Sequence, residues 1–416
     1  MSETLAVLNI GQLVTLAGPA SPRVGSELRE TGLIQDAAML IEDGRVAAVG
    51  TYADLRPQIP PVSTVIDAGG CCITPGFVDA HTHLVFAGNR AAEFEQRIAG
   101  ATYQQIAAAG GGILRTMQLT RRAGEDELLS IARRHRNWML RTGTTTIEAK
   151  SGYGLDRDTE LRILRVLARL NEEGPCTIVP TLLAAHTIPP EYAGRRDEYV
   201  RWIAEQLIPE VAAARLARYC DAFCDEHAFT LEETRTVLIA AQNHGMKLRL
   251  HAEQFQPGTG AALAASLAAV TADHLEAVTD QTLIRLCAGK VQPVLLPGSV
   301  FSLNRSDYPP ARAMIQRELA IVLATDFNPG SSPITSMPFI MSLACLKMGL
   351  SPAEALNAAT INAAHSLELG ARVGSLETGK QADFLIHEFT DYRELAYFIA
   401  SPARPRVFIA GEEATA

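Results

Sequence analysis

Pro75-Gly76-Phe77-Val78-Asp79-Ala80-His81-Thr82-His83-Leu84 is an apolar run that ends in two histidines one residue apart. In an extended strand, residues i and i+2 project to the same face with Cα atoms about 6 to 7 Å apart. Two imidazoles placed so can converge on one cation at about 2.0 to 2.1 Å from each nitrogen. His81 and His83 are therefore a candidate metal pair. Taken alone, the pattern also fits two polar residues at an exposed strand end, because short motifs recur by accident. The rest of the chain decides between them.

Downstream, helix and strand alternate. Residues 125–141 carry apolar side chains at helical spacing and stop at Gly143, and 144–147, Thr-Thr-Thr-Ile, read as a strand. A helix over 158–173 closes at Gly174 and leads to a strand over 177–183. A long helix over 196–216 precedes a strand over 219–224. Thr230 with Glu233 then forms a capping box for a helix ending at Gly245. The strand 247–250 runs straight into His251. Further strands over 269–273, 291–296 and 319–325 are separated by helices starting near Thr259, Thr279 and Pro310, and Ser351-Pro352-Ala353-Glu354 caps one more. With the opening run this makes eight strands, each trailed by helix. That is the pattern of an α/β chain folded as a (β/α)8 TIM-like barrel, whose chemistry sits at the C-terminal ends of its strands.

Upstream, residues 4–16, 37–50 and 62–68 are short apolar or alternating runs broken by Gly18-Pro19, Asp43-Gly44 and Pro60-Pro61. They read as a small antiparallel sheet with Glu42-Asp43-Gly44-Arg45 as a hairpin turn. Residues 373–376, 382–386 and 406–411 return to short strands and are assigned to the same sheet. The expected division is a discontinuous β-sandwich domain from both termini, 1–70 and 369–416, with the barrel, 71–368, inserted. Gly110-Gly111-Gly112 lacks the strand-then-helix setting of a phosphate loop and reads as a mobile connection that could serve as a lid over the barrel mouth.

The 416 residues are 47% hydrophobic and 20% charged, enough for one large α/β domain and a smaller one. A formal charge of -9 argues against a nucleic-acid or anionic-membrane surface, which shows a basic face, and points to a small-molecule partner. Seven scattered cysteines form no metal-type pair and suit a reducing cytosol. No stretch approaches the roughly 18 to 20 apolar residues of a membrane span, so a cytoplasmic protein is expected.

Polar residues collect where a barrel enzyme would place them. His81 and His83 end the first strand, His186 lies just past the third, and Asp225-Glu226-His227 end the fourth. His251 follows the fifth, His274 the sixth and Asp326 the eighth. Two histidines from the first strand, one from the fifth and an aspartate from the eighth make a three-nitrogen, one-oxygen set that suits Zn2+ or iron with water completing the shell.

The chain resembles the imidazolonepropionase family of the amidohydrolase superfamily along nearly its whole length. The resemblance rests on the opening run, Phe86-Ala87-Gly88-Asn89-Arg90, Glu148-Ala149-Lys150-Ser151-Gly152-Tyr153-Gly154, Ala185-His186, and His251-Ala252-Glu253-Gln254. Ala272-Asp273-His274-Leu275 and Asp326-Phe327-Asn328-Pro329-Gly330-Ser331 complete it. It implies hydrolysis of the ring amide of 4-imidazolone-5-propanoate to N-formimidoyl-L-glutamate in histidine degradation. It also implies one metal ion per chain on His81, His83, His251 and Asp326, and substrate contacts from Arg90, Tyr153, His186, Asn328, Gly330 and Ser331. A guanidinium offers a planar fork to the propanoate carboxylate, which makes Arg90 the expected anchor. Asp326 is expected as the base, and His274 either stabilises the developing oxyanion or only orients a ligand. A homodimer is expected.

Two departures qualify the resemblance. Two-metal members of the superfamily bridge their ions with a modified lysine on the fourth strand, where this chain has Phe223-Cys224-Asp225-Glu226. Lys150, at the end of the second strand, is instead expected to pair with acids or support its loop. Gln254 stands where nucleobase deaminases carry a proton-shuttling glutamate, and as a substrate contact it can exchange hydrogen bonds but cannot shuttle a proton. A deaminase of a related ring and a non-catalytic binding protein on the same fold remain the alternatives.

Overall fold

The computed structural model describes residues 4–61, 63–101, 105, 110–226, 228–401 and 403–415. Its larger sheet runs in chain order through Phe77–Asp79, Thr144–Lys150, Thr177–Ala185, Tyr219–Cys224, Lys247–Leu248 with His251–Ala252, Thr271–His274, Gln292–Leu295 and Val322–Leu323. Every neighbouring pair is parallel. The two ends meet: Thr82 bridges Phe327, the Asp326 N–H donates to His81 O at 3.0 Å, and the His83 N–H donates to Phe327 O at 2.8 Å. The barrel is thus closed by the segments that carry three of the expected metal ligands.

Thr144–Lys150 shows why these runs are strands. Its β-branched Thr-Thr-Thr-Ile start favours extended backbone, and all seven residues are buried, as in a parallel sheet covered on both faces. The covering helices are amphipathic. Arg157–Glu172 starts at Asp156, whose side chain accepts from the Thr159 N–H, and it buries Leu161, Leu164, Leu167 and Leu170 at the helical period. Each such leucine contributes about 1.5 to 3 kcal/mol.

Differences from the sequence expectations have local causes. The helix expected over 196–216 is built as Arg196–Trp202, a π-type turn at Ile203–Leu207, and Ile208–Ala213, because Pro209 has no N–H to give to the preceding turn. The last strand shrinks from 319–325 to Val322–Leu323, since the chain leaves the ladder to present Asp326, whose φ is 52°. The triple glycine leads into the helix Ile113–Arg122, with Gly112 as its N-cap at φ 74°.

The terminal sheet has eight strands and is mixed rather than purely antiparallel. Thr4–Val14 pairs antiparallel with Leu33–Glu42 but parallel with both Thr64–Asp67 and Cys72–Pro75. Cys72–Pro75 also pairs with Phe384–Ile386, so the sheet takes in residues beyond the boundary expected at 70/71. Leu33–Glu42 and Arg45–Thr51 form the expected hairpin, with Glu42 opposite Arg45. The sheet curls on itself until that turn meets the C-terminal strands, with the Ala382 N–H on Gly44 O and the Val46 N–H on Lys380 O, both at 2.9 Å. Ile10, Leu13, Met39, Ile41, Phe384 and Phe408 fill the space between.

Candidate active site

Barrel closure brings the rings of His81 and His83 to 5.5 Å, and His251 joins them at 4.5 Å from His81 and 5.7 Å from His83. Asp326 Oδ1 lies 3.5 Å from Nε2 of both His81 and His83. His81, His83 and Asp326 form one group able to hold a metal ion, and His81, His251 and His274 form another, the ligand atoms of each lying within 4.8 Å of one another. All five residues are buried.

Two of the rings are aimed by carboxylates that the sequence reading had not assigned. His81 gives its Nδ1–H to Asp273 Oδ2 at 2.7 Å, and His251 gives its own to Asp221 Oδ1 at 3.1 Å. That leaves the lone pairs of both Nε2 atoms facing the centre, and neither has a hydrogen-bond partner among the described residues. Orphaned, inward-facing imidazole nitrogens beside an ionised carboxylate are a donor set that fits a divalent cation. Burial holds His81 well below the ordinary histidine pKa, with Lys150 and His251 adding to it, and burial likewise lowers His83 against the pull of Asp326. Neutral rings are the form a metal requires. Burial pushes Asp326 up, but the His83 hydrogen bond and the neighbouring rings outweigh it and keep the carboxylate ionised.

Below the histidines the carboxylates are tied to two buried cations. Lys150 Nζ lies 2.9 Å from Glu148 Oε1, 2.9 Å from Asp221 Oδ2 and 3.8 Å from Asp273 Oδ2. Arg249 approaches Glu148 at 3.9 Å and Asp273 at 3.7 Å and donates to Ala80 O at 2.8 Å. Burial lowers the Lys150 pKa, yet Asp221 and Glu148 prevail and keep it raised, so it stands as a paired ammonium. A signal for this layer was present in the sequence: Asp221 and Arg249 interrupt runs otherwise apolar enough to be buried strands.

The expected substrate contacts surround this centre. His186 stacks on His83 at 5.1 Å and Tyr153 lies 5.8 Å from the same ring. Arg90 is held by its Nε–H on Thr116 Oγ1 at 3.0 Å and passes Gly330, where a Cβ would stand 2.2 Å from the guanidinium. A side chain there would push the guanidinium aside. Asn328 is committed within its own loop: Oδ1 accepts from the Gly330 and Ser331 N–H groups at 2.8 Å, and Nδ2 donates to Asp326 O at 2.7 Å and Ser331 Oγ at 2.8 Å. Both donors and both lone pairs of that amide are used, so it shapes the loop. Ser331 Oγ reaches Asp326 Oδ2 at 3.4 Å. Gln254 is 6% exposed, with Nε2 3.4 Å from Ser299 Oγ, and its N–H is fixed by Asp225 Oδ2 at 2.9 Å. His274, at φ 80°, gives Nδ1 to Glu276 Oε1 at 3.3 Å. His227 lies outside the described residues.

A family model described as Amidohydrolase family matches residues 72–413, and one described as Imidazolonepropionase-like composite domain, bacteria, matches 37–58. The protein named imidazolonepropionase in Solibacter usitatus is 55% identical over 412 residues, covering 99% of this chain and 98% of that protein. The chain belongs to the amidohydrolase family, among its imidazolonepropionases. The imidazolonepropionase of Brevibacillus brevis is 44% identical over 95% of this family member and 94% of its own length. Among solved structures, a 5-methylcytosine deaminase from Klebsiella pneumoniae superposes with a TM-score of 0.73 at 16% identity, covering 99% of this chain and 97% of that one. An adenosine deaminase from Xanthomonas campestris with bound zinc gives 0.69 at 19%, covering 98% and 92%. These two share the fold. No helix among the described residues is long and apolar enough to cross a membrane.

Proposed function

We propose that this amidohydrolase opens the ring of 4-imidazolone-5-propanoate by hydrolysing its cyclic amide, giving N-formimidoyl-L-glutamate. The observation that carries the reading is the grouping of His81, His83 and Asp326 as a set able to hold a metal ion, with the His251 ring 4.5 Å from His81, together with a guanidinium, Arg90, that passes Gly330 in the loop after Asp326. Those four residues would hold one Zn2+ or iron ion per chain, which when bound polarises the ring carbonyl and makes water acidic enough to attack near neutral pH. Asp326 accepts the proton of the attacking water and returns it to the leaving ring nitrogen; its Oδ1 lies 3.5 Å from Nε2 of His81 and of His83, and Ser331 steadies Oδ2. His274 differs from the other rings: burial opposes its charge, but Glu276 and Asp326 outweigh it and raise its pKa. With its Nδ1 held by Glu276 and no place in the proposed ligand set, it is assigned the hydrogen bond toward the developing oxyanion. Arg90 pairs with the propanoate, Tyr153 and His186 flank the ring, Gln254 and Ser331 contribute polar contacts, and Gly330 gives the arm its passage.

One ion is proposed because Lys150, the tempting bridge, is spent on Glu148 and Asp221. Seven free thiols support a cytoplasmic location, and the exposed neighbours Tyr397, Phe398 and Ile399 support a homodimer. Light scattering on the purified protein should return twice the chain mass. The function is tested by product identity: incubation with fresh imidazolone propanoate should yield N-formimidoyl-L-glutamate by mass spectrometry. Ammonia release from guanine or cytosine without that product would favour the deaminase reading.

A further inference from the structure

The loop Ser151-Gly152-Tyr153-Gly154-Leu155 carries Tyr153 and touches His186, yet it has no regular structure of its own. One buried side chain gathers three of its backbone N–H groups. Glu160, on the first turn of Arg157–Glu172 and 0% exposed, accepts the Gly152 N–H at 3.0 Å, the Gly154 N–H at 2.8 Å and the Leu155 N–H at 2.8 Å, and it also takes the Ser151 hydroxyl. Successive backbone N–H groups converging on a carboxylate form an anion nest, here filled from within the chain. The other side of the loop is fixed by Arg121, whose Nε–H donates to Gly154 O at 2.7 Å. The two glycines are what allow the closure. Gly152 has φ 104°, and a Cβ on Gly154 would stand 2.7 Å from Glu160 N and 2.9 Å from its Oε1. The clamp reaches the site twice: through the Tyr153 backbone between two held amides, and through Gly152 O, which accepts His186 Nδ1–H at 3.0 Å and so turns His186 Nε2 outward.

We infer that Glu160 is a positioning residue for substrate binding, fixing Tyr153 and the tautomer of His186 without touching the substrate. The inference rests on the reading that Tyr153 and His186 meet the imidazolone. Glu160→Gln keeps the shape but replaces one acceptor oxygen by an amide that faces N–H donors. Four readouts test it on the full-length, metal-loaded protein. Amide hydrogen exchange across 151–155 should accelerate, and the His186 Nδ1 proton signal should shift or vanish. KM for imidazolone propanoate should rise about tenfold to a hundredfold while kcat stays within about threefold, the pattern of lost binding rather than lost chemistry. Metal content should be unchanged. Glu160→Asp, which keeps the charge one methylene short, should fall between the two and serves where the glutamine variant does not fold. Unchanged exchange and KM would overturn the inference, as would a fall in kcat with KM constant or a loss of metal. If the wild-type protein does not turn over the imidazolone, the functional reading fails, and the exchange and proton signals still decide whether Glu160 holds the loop.

Discussion

Arg90 and His274 show how one side chain can be tested apart from its neighbours. Arg90 is half-buried, with one guanidinium nitrogen committed to Thr116 and the rest of its fork running past Gly330. Arg90→Ala should cost about 2 to 4 kcal/mol of transition-state binding, a thirtyfold to thousandfold drop in kcat/KM, because a charge-assisted pair with the propanoate is lost. Steady-state kinetics check this, and a variant with wild-type kcat/KM would place the carboxylate elsewhere. His274→Asn should keep the metal, measured by elemental analysis, and lower kcat by about a hundredfold to a thousandfold, the effect of removing one oxyanion donor. Loss of metal in that variant would make His274 a ligand, a role its place beside His81 and His251 permits on distance. The histidines were legible in the sequence because a strand end states where a residue sits along the barrel axis. The partners of those histidines were not. Asp221 reaches His251 from the neighbouring strand, and Asp273 on the sixth strand reaches His81 at the end of the first across the barrel, so both contacts depend on how the strands are arranged around the barrel, which no single strand encodes.

At the scale of elements, the second, fourth, fifth and sixth strands are linked beneath the site by Lys150, Asp221, Arg249 and Asp273, in a layer without water-exposed charge. Removing one member leaves buried charges unpaired. Lys150→Met should destabilise the fold by about 3 to 5 kcal/mol in denaturant titration, and a change below about 1 kcal/mol would show that the layer is not held by that ion pair. Helix boundaries were legible where capping chemistry is local, as at Thr230 with Glu233 and Ser351 with Glu354, both formed as read. The break at Ile203–Leu207 was missed because a proline in a long apolar run can be absorbed as a π-type turn as readily as it can end a helix. Glu354 also gives a pH signature. Burial pushes its carboxyl up, but Arg312, the Ser351 N–H and Arg29 prevail and bring it to about 2. Its folded pKa lies below the unfolded value. The stabilisation, about 2 to 3 kcal/mol, is therefore fully present above about pH 4.5 and is lost as pH falls toward 2. Melting curves over that range should show a shallower acid decline in Glu354→Gln, and identical slopes would refute the assignment.

For the whole molecule, the alternation of strands and helices made the barrel readable, while the mixed pairing of the terminal sheet was hidden. Cys72–Pro75 and Thr64–Asp67 join the same edge of Thr4–Val14 through contacts that alternation alone cannot rank. Closure is the step that unites fold and chemistry, since Asp326 from the last strand is bonded by its own backbone to His81 of the first. The central claim is that this junction holds a metal and performs ring hydrolysis with Asp326 as base. It is tested most directly by following the ultraviolet absorbance of fresh 4-imidazolone-5-propanoate with wild-type protein and Asp326→Asn side by side, at matched and measured metal content. The account predicts rapid, chelator-sensitive decay with the wild type and none above background with Asp326→Asn; near-normal decay with that variant, or none with metal-loaded wild type, would contradict it.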